Sequence, residues 1–193
     1  MSRVYKITSL LFALTHSVGC STAGGGEEAR LRLAACEGRV EVVRALVTAR
    51  VAINAKGGSG DTPLIAAEAC GRKEESAAEI VRMLIDHGAD VNARGKDRMT
   101  ALMFAARHGH PQVIRQLLAK GADPNARGAG GETALIYAAS NGCDAEALKL
   151  LVEAGADVNA RNDKGLSALG EARASKACPG STMAQMLIER GAE

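Results

Sequence analysis

Few residues in this chain have side chains able to hold a metal, form a disulfide or cradle a phosphate, and their spacing arranges little chemistry. The four histidines are His16, His87, His108 and His110. No two of them are spaced with a carboxylate or cysteine as zinc ligands in a short motif would be, so neither a metal site nor a cofactor is expected. His108 is read as a contact residue on the exposed side of a helix. Two glycine-rich stretches, Gly57-Gly58-Ser59-Gly60 and Gly128-Ala129-Gly130-Gly131, lack the Lys-Ser/Thr that a phosphate loop requires. The Ser, His and Asp residues form no nucleophile elbow. No enzyme is expected.

Cysteine leaves more open. Apart from Cys20 there are Cys36, Cys70, Cys143 and Cys178, an even number that an oxidising compartment could pair in three ways. Cys143 and Cys178 fall in loops of adjacent units, yet axes about 10 Å apart exceed ordinary cysteine reach unless those loops distort. Cys36 with Cys70 is the less expected pair. The reading is four small thiols, with Cys143–Cys178 as the alternative.

What would position these residues is a repeat. Gly88, Gly121, Gly155 and Gly191 lie 33, 34 and 36 residues apart, each closing an apolar, helix-like stretch. Three of them open the phrases Gly88-Ala89-Asp90-Val91-Asn92-Ala93, Gly121-Ala122-Asp123-Pro124-Asn125-Ala126 and Gly155-Ala156-Asp157-Val158-Asn159-Ala160. Such a period means a stack of like units. In the clearest one, Thr100 suits a helix N-cap, Leu102, Ala105 and Ala106 share a face, and Gly109 suits a left-handed helix end. Val113, Ile114, Leu117 and Leu118 then stripe a second helix. The unit at Thr62-Pro63-Leu64 carries about five extra residues between Gly71 and Glu79, predicting a longer loop or an extended second helix. A fourth unit has one extra residue near Cys143 to Glu146. Ser175 to Thr182 form a longer loop in the last.

The run Thr100-Ala101-Leu102-Met103-Phe104-Ala105-Ala106-Arg107-His108-Gly109-His110, closed by Gly121-Ala122-Asp123-Pro124-Asn125-Ala126, resembles the ankyrin repeat. The resemblance covers residues 27–193, in units of about 27–55, 56–93, 94–126, 127–160 and 161–193. It implies an all-α solenoid of about five helix-turn-helix units joined by short β-hairpin loops, the outer two units serving as caps. It also implies that hairpin tips and inner helices form a concave groove for a partner protein. Carried over position by position, the groove includes Lys56, Asp61, Arg94, Lys96, Asp97, Met99, Arg107, His108, Arg127, Glu132, Ser140, Asn141, Arg161, Asp163, Lys164 and Leu166. Lys56, Arg94, Arg127 and Arg161 hold equivalent places, either a basic rail for an acidic partner face or a solvated edge.

The first residues read differently. Arg3 and Lys6, an apolar run from Ile7 to Leu14, and Ser17-Val18-Gly19 before Cys20 have the order of a secretory leader spanning 1–19. Val-Gly-Cys resembles the lipobox of bacterial lipoproteins, although Ser17 stands where that family usually has Leu; Cys20 is then the lipidated residue. Cleavage near Ala23-Gly24, giving a soluble exported protein, is the rival, and a cytosolic chain with a loose N-terminus is a third reading. Residues 20–26 form a flexible tether. Beyond the leader, 22 basic residues face 22 acidic ones, which excludes the basic surplus of a nucleic-acid binder. The expectation is a monomeric adaptor, exported to the periplasm and membrane-tethered through Cys20, that binds another protein. An immunity-type inhibitor of a secreted toxin, an envelope tethering protein and a host-directed effector are the alternatives.

Overall fold

The computed structural model describes residues 26–142, 144–174 and 181–193. The leader, Cys20, Cys143 and Cys178 lie outside them. Among the described residues there are ten α-helices: α1 (Glu27–Cys36), α2 (Val40–Thr48), α3 (Pro63–Ala69), α4 (Glu74–Asp86), α5 (Ala101–His108), α6 (Pro111–Ala119), α7 (Ala134–Tyr137), α8 (Ala145–Glu153), α9 (Ala168–Ala174) and α10 (Ser181–Glu189). They pair consecutively into five units. The odd-numbered helices pack on one another as an inner layer and the even-numbered ones as an outer layer. No helix among the described residues is long and apolar enough to cross a membrane.

Local chemistry dictates each unit. Thr62, Thr100 and Thr133 accept hydrogen bonds from the amides of Ile65, Met103 and Ile136, starting α3, α5 and α7. Gly109 ends α5 with a φ of 68°, a conformation that costs glycine nothing. Between the layers, leucine and isoleucine from the outer helices (Leu46, Ile80, Ile114, Leu148) meet leucine and alanine from the inner ones (Leu64, Leu102, Ala106, Leu135, Ala139), all buried. Small inner residues let neighbouring inner helices approach closely.

The extra residues in the second unit lengthen a helix rather than a loop: α4 has 13 residues against 9 in α6. The extra residue of the fourth unit is taken up earlier than its sequence position suggests, in a π-helical turn over Ala138–Gly142 that continues α7. Between units the chain makes tight fingers, closed by the amides of Gly57, Gly95, Gly128 and Asn162 on the carbonyls four residues ahead. Among the described residues these form no strand; the one bridge is Arg161 with Ser167.

A repeated clasp holds the units in line. The side-chain amide of Asn92 donates to the Gly121 carbonyl at 2.9 Å and its oxygen accepts from the Asp123 amide at 2.8 Å. Asn54, Asn125 and Asn159 do the same to the next unit. Asp90, Asp123 and Asp157 each accept from the amide two residues on, aiming the asparagine.

Cys36 and Cys70 form a disulfide, with Cα atoms 5.4 Å apart. This corrects the expectation of free thiols. Axis separation alone misleads, because Cα atoms lie about 2.3 Å off each axis and facing positions on helices about 10 Å apart come within about 5.4 Å. Arg72 reinforces the junction, its Nε donating to the Cys36 carbonyl at 3.0 Å.

Candidate binding face

The fingers and inner helices of the middle units border an open hollow of about 370 Å³ lined by Asp61, Lys96, Asp97, Met99, Phe104, Arg107, Ala129, Glu132 and Tyr137. Six residues that the sequence points to, Asp61, Lys96, Asp97, Met99, Arg107 and Glu132, are thus brought together. The finger presenting them is sharply turned. Asp97 and Arg98 adopt positive φ values of 55° and 59° where the next finger has Gly130 and Gly131. Asp61 steadies it by accepting from the Lys96 amide at 3.1 Å.

One sequence expectation needs correcting. Met99 is buried, 6% exposed, so it forms the floor under the finger and not an exposed apolar contact. The charges around the hollow are mixed, with Asp61, Asp97 and Glu132 among Lys96 and Arg107.

Phe104 and Tyr137 were not singled out by the repeat pattern. They occupy equivalent places, four residues after the capping Thr100 and Thr133. The signal was present: beyond the first twenty residues they are the only aromatic side chains in the sequence, and both line this hollow. Burial, followed by a hydrogen bond to Glu132 and its charge, pushes the Tyr137 phenol up to about 12.

Lys56, Arg94, Arg127 and Arg161 do not line the hollow. Three of them reach along the stack instead: Lys56 donates to the Arg94 carbonyl at 3.2 Å, Arg94 to the Arg127 carbonyl at 3.2 Å and Arg127 to the Arg161 carbonyl at 3.0 Å. These three work as rungs between fingers, whereas Arg161 turns back on its own finger, donating to the Gly165 carbonyl at 3.0 Å. Asn141 and Lys164 are exposed elsewhere. Asn141 donates to Ser140, and the Lys164 amide donates to Asn162.

His108 is not on an open helix face. It is half-buried at the boundary between the second and third units, its ring centroid 5.6 Å from that of His110. His110 Nδ1 lies 3.0 Å from Glu68 Oε2, and Glu68 is fully buried. The fold therefore assembles two histidines and a carboxylate that linear spacing keeps apart, correcting the reading that no such group exists. The hydrogen bond to Glu68 raises the His110 imidazole above its ordinary value against the opposing effect of burial. Burial, then the neighbouring His110, lowers that of His108.

The chain matches the family model described as Ankyrin repeats (3 copies) over residues 6–95 and 31–128. A second model, Ankyrin repeats (many copies), matches over 112–152. Among curated relatives it is 42% identical over 82 residues to the human Ankyrin repeat and KH domain-containing protein 1, covering 42% of this chain and 3% of that protein. It is 38% identical over 100 residues to the Probable E3 ubiquitin-protein ligase XBOS33 of Oryza sativa subsp. japonica, covering 51% of this chain and 18% of that protein. The chain thus spans under a fifth of the length of either relative, and the likeness is one of repeats.

Proposed function

The chain belongs to the ankyrin-repeat family, and from that premise we propose that it is a non-catalytic adaptor which grips its partner protein at the hollow of the middle units. The observation that carries this reading is the gathering of every aromatic side chain of the repeat body, Phe104 and Tyr137, beside Arg107 in one recess. Aromatic and arginine side chains dominate the energetics of protein interfaces, particularly in recesses that exclude water. Acidic and basic groups around that floor suit a partner segment with an apolar side chain flanked by charges of both signs.

The adaptor is exported and tethered through Cys20 in the periplasm. The leader-like order of residues 1–20 supports this, as does the Cys36–Cys70 disulfide, since such bonds persist in oxidising compartments. Mass spectrometry of the native protein tests the address. An acylated Cys20 as the first residue is expected; an intact Met1 would end the export reading.

Cross-linked capture from an envelope extract tests the grip. Wild-type protein and Arg115→Glu, altered on the outer layer, should retain the same protein, and Lys96→Glu with Arg107→Glu should lose it. Retention by the double variant, or loss by Arg115→Glu, would place the partner on another face.

A further inference from the structure

We infer that Glu68, His108 and His110 form a binding site for a divalent transition-metal ion of the zinc class at the boundary between the second and third units. One ligand atom from each lies within 4.8 Å of the others. A tetrahedral ion with bonds near 2.1 Å holds its ligands about 3.4 Å apart, so the three need close by no more than about 1.4 Å. Two imidazole nitrogens and one carboxylate oxygen are a donor set that zinc accepts, with a fourth position left over.

Unpartnered atoms point the same way. Glu68 has no exposed surface; Oε2 meets His110, but Oε1 has no hydrogen-bond donor. The Nδ1 atom of His108 is likewise buried without a partner, while its ring bonds to the Glu68 backbone. An enclosed carboxylate oxygen left unpaired is costly, and an ion bound at this corner relieves that cost.

The repeat supplies an internal control. Six residues after the capping threonine, the third and fourth units place Ala106 and Ala139, both buried. The first unit places buried Ala35 at the equivalent position. The last unit places exposed Arg173 there, so alanine fills the slot in the first, third and fourth units, and only the second unit puts an acid in it. That acid faces the unit that carries both His108 and His110.

The test is calorimetric titration of tag-free, chelator-treated full-length protein with Zn²⁺ alone, supported by the visible absorption of bound Co²⁺. One ion per chain is expected, with a rise in melting temperature. His108→Asn should bind at least tenfold more weakly, whereas His87→Asn should bind as wild type. Glu68→Ala, which places the alanine of the first, third and fourth units there, should fold, melt no lower than the metal-free wild type and show no shift with Zn²⁺. Absence of a one-to-one isotherm in the wild type, or unchanged affinity in folded His108→Asn or Glu68→Ala, would overturn the site.

Discussion

Cys36 is covalently joined to Cys70, 34 residues later, so the first unit is fastened to the second at the ends of their inner helices. Closing a loop of that size restricts the unfolded chain and contributes roughly 4 kcal/mol. Peptide mapping of protein denatured without reductant should show neither cysteine alkylated, and both alkylated after reduction. Reduction, or Cys36→Ala with Cys70→Ala, should lower the urea midpoint. Alkylation of both residues before reduction would remove this bond from the account.

Asn92 satisfies two backbone groups of the following unit through one side chain. Asn92→Ala should cost about 1–2 kcal/mol in urea unfolding, because it leaves a carbonyl and an amide without their partner. Asn92→Asp should fall short of wild type as well, since a carboxylate cannot donate to the Gly121 carbonyl. Stabilities equal to wild type for both variants would show that solvent replaces the clasp at no cost.

The rungs and the hollow should separate in experiment. Arg94→Gln loses a bond to the Arg127 carbonyl at an exposed site, for a cost below about 1 kcal/mol, and should leave partner capture intact. Lys96→Glu should change capture while leaving the melting temperature within experimental error. The reverse pattern would return the basic rail to the interface.

Tyr137 sets an alkaline limit. Its phenol ionises near 12 in the folded chain against 10.0 unperturbed. A raised folded value means that stability is complete below pH 10.0 and declines as pH climbs toward 12. Tyr137→Phe should be free of that decline, as followed by chemical unfolding at stepped alkaline pH. A phenolate absorbance change centred near 10 in the folded protein would refute it.

The architecture was legible in the period of the closing glycines and in the capping threonines, because both are local and recur unit after unit. The positions of Lys96, Asp97, Arg107 and Glu132 around one recess also followed from register. Met99 was misread because its neighbours in the finger are exposed while the chain itself turns inward there. The disulfide was missed by reasoning from axis separation instead of the distance between facing Cα atoms. Glu68 and His110 are 42 residues apart, and pairing across a unit boundary has no signature in short-range spacing. An acid in an alanine slot was the legible trace of it. Phe104 and Tyr137 needed no periodicity, only the recognition that the repeat body has no other aromatic residue.

The cross-link at Cys36 and Cys70 changes how the first two units can come apart. A linear array ordinarily opens unit by unit, since each unit is held only by its neighbours. Here the first unit cannot peel away without carrying the second with it, so the burial of two units must be given up together. A protease that cuts the chain between them should leave two fragments still joined by the sulfur bond.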